Sequence, residues 1–230
     1  MEKIVALLPI KANSERVKSK NTRSFNGQPL FTIMLTRLNE CDYIENILIN
    51  TDCDKVKEYI TKNPSKAIII DRPCELRDDL ITMNTLIAHD IQFTKNEHFL
   101  QMHCTNPLLT LSTINNSIEK YFSSLPDYDS LFTVNRIQCR TYDHNGAPIN
   151  HNFSRMERTQ DMKPVYSENS NIFLFSRSSF ENAGNNRIGK KPQLFEMDTI
   201  EATDIDYEED FILAELIDRN KNLFPDIFQL

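Results

Sequence analysis

The sequence predicts an α/β fold built on a mostly parallel sheet with helices on both faces. Short apolar runs alternate with stretches of helical periodicity through the first 135 residues, the pattern of repeated strand–helix units. The runs 3-KIVALLP-9, 46-NILINT-51, 67-AIIID-71 and 98-HFLQMHC-104 are short, continuous and bounded by polar residues, as strands buried on both faces are. The composition, 40% apolar and 26% charged over 230 residues, suits a single globular domain spanning 1–230.

The elements follow in order. After the first strand, 29-PLFTIMLTRLNE-40 places Leu30, Ile33, Met34 and Leu38 on one helical face, with Pro29 in the first turn. Residues 54–62 form a short helix with Asp54 as its expected cap. A helix is expected near 83–95, another over 111–124 capped by Thr110 or Ser112, and a strand at 129-DSLFTVN-135. The stretch 136–165 breaks the alternation. It is polar, holds Gly146, Pro148 and four arginines (Arg136, Arg140, Arg155, Arg158), and reads as a hairpin-like arm leaving the sheet. Strands at 171-NIFLFS-176 and 193-QLFEM-197 and an amphipathic helix over 207–220 complete the chain.

Charge and cysteine usage narrow the function. The net charge of −7 disfavours a duplex nucleic-acid partner. Five cysteines, an odd number with no CxxC spacing, argue against a disulfide framework or a zinc site. No 18-residue apolar run exists, and 1-MEKIVALLPIK-11 lacks a basic n-region, so a cytoplasmic protein without membrane attachment is expected.

Against this acidic background, 7-LLPIKANSERVKSKN-21 carries Lys11, Arg16, Lys18 and Lys20 in a strand-exit loop without glycine. Ligands of open parallel sheets bind outside the carboxyl ends of the strands. Cations there suit a polyphosphate, with Asn13, Ser14 and Asn21 as neutral donors. Asn13 is the residue expected to take the left-handed backbone that glycine supplies elsewhere. A second cluster is 204-DIDYEED-210. On a strand, Asp204 and Asp206 point to one side and suit Mg²⁺, while the same acids could instead open a helix with Asp206 as cap. A third is 72-RPCELRDD-79, where Arg72 could read a base edge or a phosphate bidentately, or belong to a surface ion-pair loop. No GxSxG, Walker A, GxGxxG or HExxH pattern occurs.

The ordered segments resemble those of the acylneuraminate cytidylyltransferase family. Leu8, Pro9, Ala12, Ser14, Lys20 and Asn21 follow its opening loop, with Lys11 for its arginine and Asn13 for its glycine. Arg72, Pro73, Glu75, Leu76 and Asp79 follow its RPxELAxD element; 105-TNPLL-109, 169-NSNIFLF-175 and 204-DIDYEEDF-211 follow TSPLR, NGAIYI and DIDxxxDF. The resemblance implies a three-layer Rossmann-like nucleotidyltransferase fold with a mostly parallel sheet and a protruding dimerisation arm, for which 136–165 is the candidate. It implies a homodimeric, CTP-dependent enzyme that activates an acidic sugar to its CMP-sugar and releases pyrophosphate. Lys11, Lys20 and Asp206 would be catalytic. Pro9, Ala12, Asn13, Ser14, Lys20, Asn21, Arg72 and Asp79 would bind the nucleotide; His103, Thr105, Asn106 and Asn169 the acceptor; Asp204 and Asp206 the Mg²⁺. The departures lie on the acceptor side: the family's glutamine and arginine around TSPLR fall at His103 and Leu109, and its arginine ahead of NG falls near Ser167. His103 would thus offer a shorter donor and Leu109 an apolar wall. A non-sugar anionic acceptor, or a non-catalytic nucleotide-binding or glycosyltransferase-like domain on the same sheet, are the alternatives.

Overall fold

Strand β1 (Ile4–Leu7) sits near the middle of the molecule and shows why the sheet forms. Ile4 and Ala6 join one apolar cluster, and Val5 and Leu7 join another. A strand with both faces buried needs no polar alternation, only a helix layer on each side. The computed structural model describes residues 2–155 and 157–228. The expected domain's terminal residues Met1, Gln229 and Leu230, and Met156 within the expected arm, lie outside them.

After β1 the chain forms a two-residue ribbon, β2 (Ser24–Phe25) and β3 (Gln28–Pro29), then α1 (Leu30–Glu40), β4 (Ile44–Thr51), α2 (Asp54–Lys62), β5 (Ala67–Asp71), α3 (Met83–Asp90), β6 (His98–Met102) and α4 (Leu111–Ser124). Next come β7 (Ser130–Ile137), β8 (Val165–Ser176), α5 (Arg177–Asn182), β9 (Pro192–Glu196), α6 (Glu208–Arg219) and the short α7 (Pro225–Phe228). The main sheet has seven strands in the order β5-β4-β1-β6-β8-β7-β9. Pairs β1/β4, β1/β6, β4/β5 and β7/β9 are parallel, and β8 alone runs against its neighbours β6 and β7. The expected mostly parallel α/β sheet is the fold observed.

One face is covered by α1, α2 and α4, through Phe31, Met34, Leu38, Val56, Ile60, Ile114 and Ile118. The other is covered from α3, its short extension and α5, through Ile87, Ile91 and Phe180 against Phe99, Phe173 and Phe175. Each such side chain, fully buried, contributes about 1.5–3 kcal/mol. A third, smaller core joins Val17 and Phe25 to Ile205, Phe211 and Ala214, with Phe25 and Phe211 edge to face at 5.6 Å. It ties the first basic loop to α6.

Four expectations need correction. Asp54 lies inside the first turn of α2; the cap position is Cys53, and no side chain bonds there. Helix α3 is shorter than 83–95, ending at Asp90 and continuing as a 3₁₀ turn over Ile91–Phe93. Strand β8 begins at Val165 rather than near 171, because a register irregularity opposite Phe132–Val134 lets residues 165–168 pair with the end of β7. Helix α5 was not expected, although Ser176 and Ser179 form a reciprocal capping box at its start. Thr110, whose oxygen accepts from Thr113 N at 3.2 Å, caps α4. In the expected arm, the described residues hold turns with isolated bridges, Tyr142 to Pro148 and Asn152 to Arg155, rather than a regular hairpin.

Candidate active site

Beyond Leu7 the chain continues as an extension of the sheet. Leu8 N donates to Leu48 O at 2.9 Å and Ile10 N to Asn50 O at 3.0 Å. Past Ile10 it lifts away over the carboxyl ends of β1 and β4. A cleft of about 520 Å³ opens there, bounded by this loop, the 72–83 segment, the exit of β6 and the turn before α6. This is where an open parallel sheet places its ligand.

The loop is built by its own polar residues. Ala12 N donates to Asp52 Oδ1 at 2.8 Å, and Asn21 Nδ2 donates to Lys11 O at 2.9 Å, closing the loop's start onto its end. Asn13 is exposed, and its backbone is not left-handed. The left-handed residue is Ser19, with φ 54°, which turns the chain into a 3₁₀ turn at Lys20–Thr22. The glycine substitute expected at Asn13 is therefore six residues later. That turn drives Lys20 inward: its side chain is 11% exposed, Nζ donates to the Ile205 carbonyl, and the Asp206 carboxylate lies 3.8 Å away.

Asp204 and Asp206 do not lie on a strand, contrary to expectation. They reach the cleft together for the same geometric reason, since Ile205 between them is fully buried in the third core. Asp206 does not cap α6. Tyr207 holds the cap position, and Asp210 accepts from Asp206 N at 3.0 Å and Tyr207 N at 2.8 Å. Asp206 is thus free for the cleft, where Arg16 Nη2 lies 2.7 Å from its Oδ1. Asp204 is more deeply placed. Burial raises the pKa of its carboxyl, with the Asp206 charge adding, while Thr105 and Lys20 oppose. Its Oδ1 is buried without a hydrogen-bond partner.

An orphaned buried carboxylate oxygen beside a half-exposed second carboxylate fits a hard cation such as Mg²⁺. Among the described residues no third acidic, histidine or cysteine side chain converges with them. A cation held here would complete its shell with water and ligand oxygens, as Mg²⁺ does at phosphates.

Across the cleft, Lys11 pairs with Asp79, joining the basic loop to the 72–79 segment. Arg72 is 4% exposed, and burial lowers its pKa. Its Nε donates to Asn50 Oδ1 at 2.7 Å and its Nη2 to Asn50 O at 2.9 Å. The Nε–Nη2 fork is therefore committed inward, and a bidentate contact through that edge is unavailable. Asn50 in turn donates to the buried Asp90 at 2.5 Å. Arg72 is a fixed floor residue, not part of a surface ion-pair loop.

On the far wall, His103 has its pKa lowered to about 4 by burial, then by the Arg187 and Lys20 charges, so the ring is neutral at pH 7. Burial pushes the adjacent Cys104 thiol up to about 12, which leaves it unreactive. Leu109 is fully buried in the first core and is not a cleft wall.

The structure brings Pro9, Lys11, Ser14, Lys20, Asn21, Arg72, Asp79, His103, Thr105, Asp204 and Asp206 to the cleft. Ala12, Asn13, Asn106 and Asn169 do not line it. Asn106 is 1% exposed and donates to Thr203 O at 3.5 Å, beneath the site. Asn169 is occupied between Thr133 Oγ1, 2.6 Å, and Asn135 Oδ1, 2.9 Å. Arg16, expected among the loop cations, also lines the cleft, and sequence reasoning passed over Arg77, Met83 and Ser170, which line it too. Ser170, left-handed at φ 56°, stands where the resembled pattern has glycine, a signal that was available.

Comparison with known proteins agrees with this geometry. The chain is 22% identical over 97% of its length to the post-translational flagellin modification protein B of Campylobacter coli, covering 98% of that protein. It is 24% identical over 99% of its length to the CMP-N,N'-diacetyllegionaminic acid synthase of Campylobacter jejuni, covering 100% of it. It is 22% identical to the N-acylneuraminate cytidylyltransferase of Escherichia coli, of which it spans only 53%. The solved structure of a CMP:2-keto-3-deoxy-manno-octonic acid synthetase shares the fold, with a TM-score of 0.71 at 12% identity over 96% of this chain and 100% of that one. Residues 5–224 match the family described as Cytidylyltransferase, and the chain is a divergent member of that family.

Proposed function

We propose that this chain transfers the cytidylyl group of CTP to a hydroxyl of an acidic sugar, forming a CMP-sugar and releasing pyrophosphate. The observation that carries the reading is the meeting of Lys20 and Arg16 with Asp206, beside the half-orphaned carboxylate of Asp204. Cations for a triphosphate and carboxylates for a metal share one cleft. The acids named for its relatives, legionaminic, neuraminic and octulosonic, support an acidic sugar as acceptor.

Lys11, Arg16 and Lys20 neutralise the triphosphate. In the free protein their partners are the carboxylates of Asp79 and Asp206. The Lys11 and Arg16 pairs are about half exposed and weak, so phosphate oxygens can displace them at little cost. Arg72, held by Asn50, presents its remaining Nη1 edge to the cytosine. Asp204 and Asp206 would hold Mg²⁺, which when bound polarises the α-phosphate. The acceptor hydroxyl attacks the α-phosphorus, the bond from the α-phosphorus to the bridging oxygen breaks so that pyrophosphate departs, and the hydroxyl proton passes to solvent water as the new P–O bond forms. Lys20 stays beside the departing pyrophosphate, and its contacts to Ile205 and Asp206 hold it in place beforehand. A homodimer, with 136–165 reaching toward a second copy, and action in the cytoplasm belong to the same reading.

Pyrophosphate release with CTP, ATP, GTP and UTP, each against N-acetylneuraminate, N,N'-diacetyllegionaminate, 3-deoxy-manno-octulosonate and a neutral hexose, tests it. Turnover is expected with CTP and an acid. Turnover only with the hexose, or with another nucleotide in preference to CTP, would overturn it.

A further inference from the structure

We infer that Gln101, in β6 behind the cleft, is a positioning residue: oriented by Arg187, it makes the His103 ring carry its proton on Nδ1 and present a hydrogen-bond donor to the acceptor. The acceptor's place at this wall rests on the proposed transfer to an acidic sugar.

Gln101 is fully buried, so each end of its amide needs a partner. Arg187, on the loop between α5 and β9, can only donate, and its Nη1 meets the Oε1 end. The Met102 carbonyl can only accept, and it lies 3.0 Å from the Nε2 end. The two contacts fix the same orientation of the amide. One Nε2 hydrogen remains, and the atom left for it is His103 Nε2, 3.3 Å away. An amide nitrogen has no lone pair to offer, so the ring nitrogen must accept and cannot hold a proton itself. The proton of the neutral ring therefore sits on Nδ1.

The anchor of this relay is held in turn. The Arg187 guanidinium lies over the Phe173 ring, 3.5 Å from its centre, and Phe173 is the register partner of Gln101 across β8 and β6. Arg187 N donates to Asn84 Oδ1 at 3.2 Å. Both the strand pairing and the loop thus keep the guanidinium against Oε1.

A doubly protonated ring is disfavoured as well. Burial and the Arg187 and Lys20 charges bring the His103 pKa down to about 4. Among the described residues Nδ1 has no partner within the protein, and it is not one of the buried unpaired atoms, so it is open to the cleft that the ring lines. The resembled pattern has glutamine at this place, whose amide can donate or accept. This ring can only donate. It suits a hydroxyl, carbonyl or carboxylate oxygen of the acceptor and has nothing to offer an ammonium or an amide N–H.

Proton–nitrogen correlation spectra of the nitrogen-15-labelled full chain at pH 8 read which ring nitrogen holds the proton. His103→Gln identifies the His103 signals among those of the five histidines. Wild type should show one form, with the proton on Nδ1. Gln101→Glu, whose carboxylate only accepts and keeps Arg187 as partner, should put a proton on Nε2. Gln101→Met should leave a mixture. In pyrophosphate release with the best acid of the panel, Gln101→Glu should raise the acceptor KM about five- to a hundredfold, the range for a hydrogen bond lost in a buried site. The CTP KM should stay within about twofold. A wild-type proton on Nε2, or an unmoved one in Gln101→Glu, would overturn the inference, and so would equal rises in both KM values. If a variant fails to fold, which loss of the CTP-dependent rise in Tm reports, the wild-type spectrum still decides. No turnover of any acid by wild type, with the spectra as expected, would overturn the functional reading and leave the relay from Arg187 to His103 standing.

Discussion

Arg16 Nη2 lies 2.7 Å from Asp206 Oδ1 in the cleft, joining residues from opposite ends of the chain. One carboxylate oxygen therefore serves two cations, since Lys20 Nζ is 3.8 Å from the same atom. On the proposed reading, the cations that would bind phosphate and the carboxylate that would bind Mg²⁺ are paired with each other in the free protein.

Asp206→Asn should abolish turnover while the fold persists. The amide keeps the shape but loses the charge that both the cations and Mg²⁺ require. The expected loss in kcat is at least about a hundredfold, with little change in Tm because the side chain is 40% exposed. Pyrophosphate release and thermal melting check both halves. Chelation of Mg²⁺ with EDTA should silence the wild type to a similar extent, and full activity in EDTA would remove the metal from the reaction.

Lys20→Ala should lose about 2–4 kcal/mol of transition-state stabilisation from CTP. Lys18, exposed two residues earlier, should be nearly silent when changed to alanine. kcat/KM for CTP in the two variants distinguishes a defined cradle from a diffuse basic patch, which would show equal losses.

Asn50→Ala should weaken CTP binding although Asn50 does not itself line the cleft. It removes one hydrogen bond from Arg72 Nε and one from Asp90, both residues buried, and leaves the residue-50 carbonyl on Arg72 Nη2. Leaving these unpaired should cost about 1–3 kcal/mol of stability as well. Urea unfolding and the CTP KM would show the two effects together.

Stability should fall as pH drops from about 6.5 toward 4 because of His103. Its folded pKa of about 4 lies below the ordinary 6.5, so in this window the unfolded chain binds the proton and the folded one does not. Stability then rises with pH across the window and levels off above it. The His103 contribution approaches about 3 kcal/mol. His103→Gln, which cannot titrate, should flatten that part of a urea-midpoint profile between pH 4 and 7.

Much of this was legible in the sequence. Buried strands such as β1, β4 and β5 announce themselves because a strand covered on both faces must be a continuous apolar run. The polar first half of β8 gives no such signal, since Tyr166, Ser167 and Glu168 pair with β7 through the backbone and stay exposed. The Asp204–Asp206 pair was readable from spacing, though the force behind it is burial of Ile205 rather than strand pleat. Asn169 looked like a ligand because it sits in a motif, yet Thr133 and Asn135, more than 30 residues earlier, consume it. Arg187, whose charge acts on His103 in the cleft wall, was invisible for the converse reason. Nothing local marks it, and only the pairing of β6 with β8 brings Gln101 and Phe173 to it.

The third core, where Phe25 meets Phe211, has a consequence for how the chain can be divided. The basic loop belongs to the first tenth of the sequence and α6 to the last, but they rest on one another. A fragment ending before residue 200 would lose the underside of its phosphate loop along with both aspartates. That fragment and its complement, added back together, should recover nucleotide binding and metal binding in the same step, never one ahead of the other.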